Sequence, residues 1–364
     1  LSQSHPELVE ALKGDGATIL VGERAASVPG LLSVVDALAT GTGARLAWVP
    51  RRSGERGGIE AGLLPSLLPG GRPVTDDAAR AEVQDAWGIE TTGLHQRPAL
   101  PATAGRDTTA ILNALADGEL GGLVVGGVDV RDFSDPGLAR TALASSGFTV
   151  QLEVRRSEVS EHADVVLPVA PAVEKNGTFV NWEGRVRPFE AALSTTALPD
   201  HRVLHMLADE MGVDLQVDDL VVLHEQLADL GLWRGQRPSV AFGPAPAVCA
   251  PAPADDGVEA RLTTHKPMLD AGRLQDGEPF LAATALRPVA RVGADLAQRL
   301  SLAAGQQVTV ATAAGSITLP AVVGGVSDGT VWLPECSAGS TVHQTLGAGH
   351  GSQVTVTHAA EVLR

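Results

Sequence analysis

Cysteine is almost missing from this 364-residue chain: Cys249 and Cys336 are the only two. An iron–sulfur cluster held by four thiolates, or a zinc site with four cysteine ligands, needs more sulfur than that. The same count excludes a disulfide-built secreted scaffold, and a reducing compartment is the easier reading. Tyrosine is absent and aromatic residues make up 3% of the chain, which leaves few platforms on which bases could stack. Lysine is confined to Lys13, Lys175 and Lys266, and 27 Lys and Arg stand against 43 Asp and Glu, for a formal charge of −16. Such a surface repels phosphate backbones, so nucleic acid is not expected as a partner. A membrane-spanning run is missing as well. The long uncharged stretch Pro238–Ala254 carries five prolines, a density no transmembrane helix tolerates without heavy compensation. No direct membrane insertion is expected. The chain opens at Leu1 with neither a basic n-region nor an apolar h-region, so no signal peptide is expected, and the missing initiator Met suggests a piece of something longer.

What is present points to packed domains. Hydrophobic residues are 44% of the chain, and its length allows two to three domains. Ala17–Val21, Val28–Leu38 and Ala44–Val49 read as strand, helix and strand, a pattern that favours a parallel crossover. The Gly-, Pro- and Arg-rich stretch from Pro50 to Pro73 reads as a long surface loop. Thr75, Asp76 and Asp77 supply a cap and an N-terminal acid for a helix to about Trp87, and Asp107 can cap a helix over Thr108–Ala116. Leu123–Gly127 and Phe148–Val154 read as strands around a helix near Leu138–Ala144, and two further helices are expected near His201–Met211 and Asp219–Leu230. This alternation argues an open, mostly parallel α/β sheet with helices on both faces.

The texture changes after a Pro/Ala-rich run. Val289–Val292, Gln307–Ala311, Ser316–Val323, Thr330–Leu333 and Gln353–Thr357 are short β-rich runs separated by Gly-containing turns, with short helices at most near Ala294–Leu300 and Val342–Leu346. A compact β-barrel is expected there. The domain reading is therefore an α/β region at residues 1–236, in one or two subdomains, a linker at 237–258 and a barrel at 259–364.

One stretch concentrates polar chemistry: Ala163-Asp164-Val165-Val166-Leu167-Pro168, then Glu174-Lys175-Asn176-Gly177-Thr178-Phe179-Val180-Asn181-Trp182-Glu183-Gly184-Arg185. It begins as a strand stopped by Pro168 and turns at Asn176-Gly177 and again at Glu183-Gly184. From the residues alone, its polar side chains either cap their own backbone or converge on a ligand. The pattern resembles the signature of the molybdopterin-dependent oxidoreductases and of their non-molybdenum relatives, the G-subunit family of NADH-quinone oxidoreductases. A second resemblance, to the actinobacterial type of that family, lies in Leu269-Asp270-Ala271-Gly272-Arg273-Leu274-Gln275-Asp276-Gly277, Val331-Trp332-Leu333-Pro334, Gly339-Ser340 and Thr345-Leu346-Gly347-Ala348-Gly349. It implies that the barrel is a double-psi β-barrel of the molybdopterin dinucleotide-binding type.

The resemblance also implies absences. In that family the iron–sulfur ligands, and in the molybdenum enzymes the metal ligand, lie upstream of the matching region. No catalytic residue, metal ligand or bound cofactor is therefore expected within this stretch. Asp129, Asn181, Glu183, Gly184 and Arg185 stand at positions that would contact a pterin dinucleotide if the chain came from an active molybdopterin enzyme of the formate dehydrogenase or nitrate reductase type. Departures argue against that alternative. Gly127-Val128-Asp129-Val130 replaces the usual Gly-x-Asn-Pro, and Leu152-Glu153 and Glu158-Val159 replace Gln-Asp and Glu-Thr. Carboxylates at Asp129 and Glu153 also oppose a pyrophosphate, since like charges about 6 Å apart cost roughly 2–3 kcal/mol at an effective dielectric near 20. The Glu174–Arg185 loop is expected to be a relic, with the Arg185 guanidinium holding the chain against the sheet.

The function so implied is the C-terminal, non-catalytic structural portion of the iron–sulfur subunit of respiratory complex I, which carries electrons from NADH to quinone. Its expected partners are other peripheral-arm subunits and the rest of its own chain, at the cytoplasmic face of the plasma membrane. A free-standing nucleotide-binding α/β enzyme would explain the first half but not the barrel. Other candidates carry less. His201, His205 and Asp209 share a helix face and could hold a metal, yet Val203, Leu204, Leu207 and Met211 suggest a histidine pair bordering a buried face. Gly347-Ala348-Gly349-His350-Gly351 resembles a phosphate loop only in glycine content and reads as a barrel turn. Arg51, Arg52 and Arg56 could form an anion or partner patch, and Glu335 is expected to raise the Cys336 thiol pKa.

Overall fold

A computed structural model describes residues 5–28, 30–50, 54–89, 98–215, 217, 219–236, 257–273 and 275–359. The expected linker 237–258 lies outside these except at its last two residues, and Cys249, Arg51 and Arg52 fall outside them too. The chain divides into two compact units, one of Leu1–Trp48, Asp129–Arg140 and Phe242–Arg364, the other of Val49–Val128 and Thr141–Ala241.

In the second unit, three strands form a parallel sheet in chain order: β1 (Leu123–Gly126), β2 (Thr149–Glu153) and β3 (Val165–Pro168). The central strand is the buried one, with Thr149, Gln151, Leu152 and Glu153 all under 10% exposed. The Gln151 side chain and the Thr149 amide find partners close by. Gln151 donates to Ser157 Oγ at 2.9 Å and accepts from Ser160 Oγ at 2.6 Å, and Asp164 Oδ2 accepts from the Thr149 amide at 2.7 Å. The helices Asp77–Ala86 and Thr108–Ala116 start at Asp76 and Asp107, whose carboxylates accept from Ala79 N and Ala110 N as N-caps do.

Two expectations are corrected. The strands Thr18–Gly22 and Arg45–Val49 do not extend the parallel sheet but pair with each other in a separate two-stranded sheet. Along the first of them exposure alternates, with Leu20 70% exposed, whereas a strand inside a parallel sheet is covered on both faces. The stretch Pro50–Pro73 is not a plain surface loop. It contains the helix Glu55–Glu60 and a short antiparallel pair, Leu67–Leu68 with Arg72–Pro73, and Arg72 is only 3% exposed. That guanidinium donates to the carbonyls of Pro69 (3.0 Å), Gly231 (2.8 Å) and Leu230 (2.6 Å) and pairs with Glu82. Gly70, at φ 76°, makes room for it: a Cβ there would stand 2.3 Å from Arg72 Nη1.

The first unit holds a closed six-stranded barrel: β4 (Val258–His265), β5 (Ala290–Val292), β6 (Gln307–Thr312), β7 (Gly315–Val323), β8 (Thr330–Pro334) and β9 (Gln353–His358). Around it the order is β4-β8-β5-β7-β6-β9. The pairs β4/β8 and β5/β7 are parallel and the others antiparallel. Strand alternation sends Leu262, Val292, Val308, Val310, Val331, Leu333, Val354 and Val356 inward, each fully buried. The helices Ala294–Arg299 and Val342–Leu346 add Leu296 and Leu346 to the same core. Each fully buried Leu or Val contributes about 2 kcal/mol of transfer free energy. Two buried hydroxyls inside the barrel are satisfied by carbonyls, Thr264 by Leu333 and Thr312 by Leu346.

Candidate functional site

Asn181, Glu183, Gly184 and Arg185 are brought together at the tip of an antiparallel hairpin formed by Gly177–Val180 and Val186–Phe189. Asn181 organises the tip. Its Oδ1 accepts from the Glu183 amide at 3.1 Å and the Arg185 amide at 2.8 Å, while its own amide donates to the Arg185 carbonyl at 3.0 Å. This is an Asx-type turn closed on itself. Gly184 sits at φ 86°, where a Cβ would stand 2.9 Å from Arg56 Nη2. Phe179 and Phe189 stack across the hairpin with centroids 5.1 Å apart, and Thr178 Oγ1 lies 3.2 Å from His224 Nε2.

The Arg185 side chain does not hold the chain against a sheet. It is 64% exposed and pairs with Glu183 at 3.1 Å, a pair worth little in water. The arginine that anchors the tip is Arg56, which donates through Nη1 to the Trp182 carbonyl at 2.8 Å and through Nε to Glu60 at 2.8 Å. Arg56 thus directs its charge within the unit instead of offering it to an outside anion.

Asp129 lies in the other unit, and its partner there is Arg131. The two carboxylate oxygens accept from Arg131 Nε at 3.1 Å and Nη2 at 2.6 Å, and Oδ1 also accepts from the Arg131 amide at 3.0 Å. Burial on its own would raise the Asp129 pKa, but the Arg131 hydrogen bonds and charge together outweigh it and hold the carboxyl below its usual range. Arg131 is correspondingly driven further into its charged form by the Asp129 hydrogen bond. Beside this pair, Lys266 bonds Asp132, and Glu335 lies 3.7 Å from His343. Arg131 and Lys266 therefore each face a carboxylate.

These environments do not fit a pterin dinucleotide. A pyrophosphate needs donors that are not already committed, but Arg131 is held by Asp129 and Arg185 pairs with Glu183, while the Asn181 oxygen and the two carboxylates are acceptors only.

The remaining candidates resolve simply. His201 and His205 lie on the helix Asp200–Glu210, but Leu204, Leu207 and Met211 are 42%, 38% and 74% exposed, so the apolar face expected to be buried is open. Burial, then the Arg202 charge, lowers the His201 pKa. Among the described residues no group of three or more His, Cys, Asp and Glu side chains could hold a metal ion. Gly347–Gly351 is a barrel turn: Gly347 ends the helix Val342–Leu346, and the Gly351 amide donates to the Leu262 carbonyl at 2.8 Å. Cys336 is buried, and burial, rather than Glu335, raises its thiol pKa, with Arg131 pulling the other way. Sequence reasoning missed Arg72 and Arg131. For Arg131 a signal existed in the Asp129-x-Arg131 spacing; for Arg72 none did.

Residues 23–198 match the family model described as molybdopterin oxidoreductase. The chain is 52% identical over 351 residues to the NADH-quinone oxidoreductase G subunit of Mycobacterium tuberculosis, covering 95% of this chain and 42% of that protein. It is 47% identical over 362 residues to the NADH-quinone oxidoreductase G subunit of Streptomyces coelicolor, covering 98% of this chain and 42% of that protein. Among solved structures it is similar to acetylene hydratase from Pelobacter acetylenicus, at a TM-score of 0.40 and 17% identity, over 75% of this chain and 45% of that one. The chain spans less than half the length of the curated relatives it matches. No described helix is long and apolar enough to cross a membrane. The chain is a homologue of the NADH-quinone oxidoreductase G subunit and carries a molybdopterin oxidoreductase domain at residues 23–198.

Proposed function

We propose that this chain is the C-terminal, non-catalytic structural portion of the iron–sulfur subunit of a respiratory NADH-quinone oxidoreductase. In this reading the clusters and the electron path belong to the part of the subunit outside the chain. The α/β region 1–236, the linker 237–258 and the barrel 259–364 pack against that part and against neighbouring peripheral-arm subunits, on the cytoplasmic face of the membrane. The two parallel strand pairs within the six-stranded barrel support a double-psi topology.

The observation that carries the structural reading is the closed turn at Asn181. A side chain positioned for a ligand keeps an acceptor or donor directed outward, but the Asn181 oxygen accepts from two amides of its own turn. The Asp129–Arg131 pair supports the same reading in the other unit. We read Asn181, Glu183, Gly184, Arg185 and Asp129 as a relic of a pterin site, retained for folding. The test is molybdenum and pterin analysis of the full-length subunit purified anaerobically. Iron without molybdenum or pterin is expected; molybdenum and pterin in stoichiometric amount with the chain would contradict the reading.

A further inference from the structure

A polar cavity of about 250 Å³ opens on the barrel of the first unit, away from the Asp129–Arg131 cluster in its lining. Strand β4 supplies His265, the end of the 326–330 turn and β8 supply Ser327, Thr330 and Trp332, and Arg24 and His350 complete the wall. Among the described residues no acidic side chain lines it, although acids outnumber bases 43 to 27 in the chain.

The cavity is held together from several directions. Arg24 follows the strand Thr18–Gly22 in a short helical turn. Val28, four residues on, packs on the loop that carries His350, its Cγ2 3.5 Å from where a Gly351 Cβ would stand. Arg24 is itself exposed and has no carboxylate partner among the described residues. The His350 ring accepts the Thr264 amide through Nδ1 at 3.4 Å, which makes Nε2 the proton-bearing nitrogen of the neutral ring. Burial, then the Arg24 charge, lowers the His350 pKa. The back wall is rigid: Trp332 Nε1 donates to His265 Nδ1 at 2.8 Å, and Arg291 lies over the indole at 5.9 Å from its centroid. Arg24 thus brings a guanidinium charge to a space that has no carboxylate among its described lining residues.

We propose that this cavity binds a small oxyanion, a phosphate or carboxylate group, held by the Arg24 guanidinium and the His350 ring N–H. A guanidinium fork beside a neutral ring donor suits a two-oxygen anion edge. The volume is below that of pockets that enclose a drug-sized ligand, so it fits an anionic group with a short body and not a dinucleotide. The site is independent of the relic reading, since none of its lining residues belongs to the Asn181 turn or the Asp129 pair.

The test is isothermal titration of the full chain with inorganic phosphate, and in a second arm with sodium acetate, at constant ionic strength balanced by chloride. Saturable one-site binding in at least one arm is expected. Arg24→Ala weakens it at least tenfold, and Arg24→Lys, which keeps the charge but not the fork, recovers part of the loss. Saturation by phosphate alone assigns a phosphate ester as the natural ligand class, and saturation by acetate assigns a carboxylate. No saturable binding in either arm, or an affinity unchanged in Arg24→Ala, overturns the proposal.

Discussion

Arg131 grips both carboxylate oxygens of Asp129, at 3.1 Å through Nε and 2.6 Å through Nη2, with the Asp129 side chain 12% exposed. A two-point pair of this kind fixes the chain direction after Gly127 and leaves neither group available to an outside ion. Asp129→Asn removes the charge but not the volume, so Arg131 is left partly buried and unpaired. The expected loss is about 2 kcal/mol, read by urea denaturation. A double variant, Asp129→Asn with Arg131→Met, should recover part of it, because the orphaned charge is then gone as well.

The two arginines of the hairpin should behave oppositely. Arg185→Ala removes a solvent-exposed pair with Glu183, and a change under about 0.5 kcal/mol is expected. Arg56→Ala leaves the Trp182 carbonyl and the Glu60 carboxylate without their donor. A loss of about 1–2 kcal/mol is expected. Thermal melting of both variants beside the parent checks the ranking, and a larger effect at Arg185 would sink this account of the turn.

Arg72 gathers the carbonyls of Pro69, Leu230 and Gly231 around one buried guanidinium, with Trp233 5.8 Å away. Arg72→Ala should cost about 3 kcal/mol in chemical denaturation, since several acceptors lose their donor in a buried place. Arg72→Lys should recover little, because one ammonium cannot span three carbonyls and a carboxylate.

Stability should fall on mild acidification. His350 and His201 both titrate below their ordinary value of 6.5 in the folded chain, each chiefly through burial. The unfolded chain therefore binds more protons than the folded one as pH drops through 6.5, and folding is disfavoured there. This contribution is fully present above pH 6.5. The melting temperature should be higher at about pH 7.5 than at about pH 5.5, and His350→Gln should flatten part of that slope. Asp129 acts at a lower pH: its folded pKa lies below 3.8, so its contribution persists above that value and is lost further into acid.

Much of the fold was legible from local pattern. Asp76 and Asp107 announce their helices because an aspartate at the N-cap is a local device. The strands Gln307–Thr312, Gly315–Val323 and Gln353–His358 show their alternation in β-branched residues. Strand β4 escaped expectation because its inward positions are Ala260, Leu262 and Thr264, only one of them large and apolar, directly after a Pro/Ala-rich run. Arg72 escaped because its partners Leu230 and Gly231 are 158 and 159 residues away in sequence, and a charged residue in a Gly/Pro-rich stretch ordinarily faces water. At the candidate site, the turn at Gly184 was readable from residue type, but the turn expected at Asn176-Gly177 is instead the start of the strand Gly177–Val180, where Gly177 faces Phe189; the exposure of Arg185 and the anchoring role of Arg56 depend on tertiary placement.

In the proposed function this chain supports the complex without taking part in its chemistry. The most direct measurement is NADH:quinone turnover per assembled complex in membranes carrying Asn181→Ala or Asp129→Asn in the full-length subunit. The account predicts less assembled complex, in step with the stability lost, and unchanged turnover in each complex that forms. Normal assembly with turnover lost in either variant would contradict it.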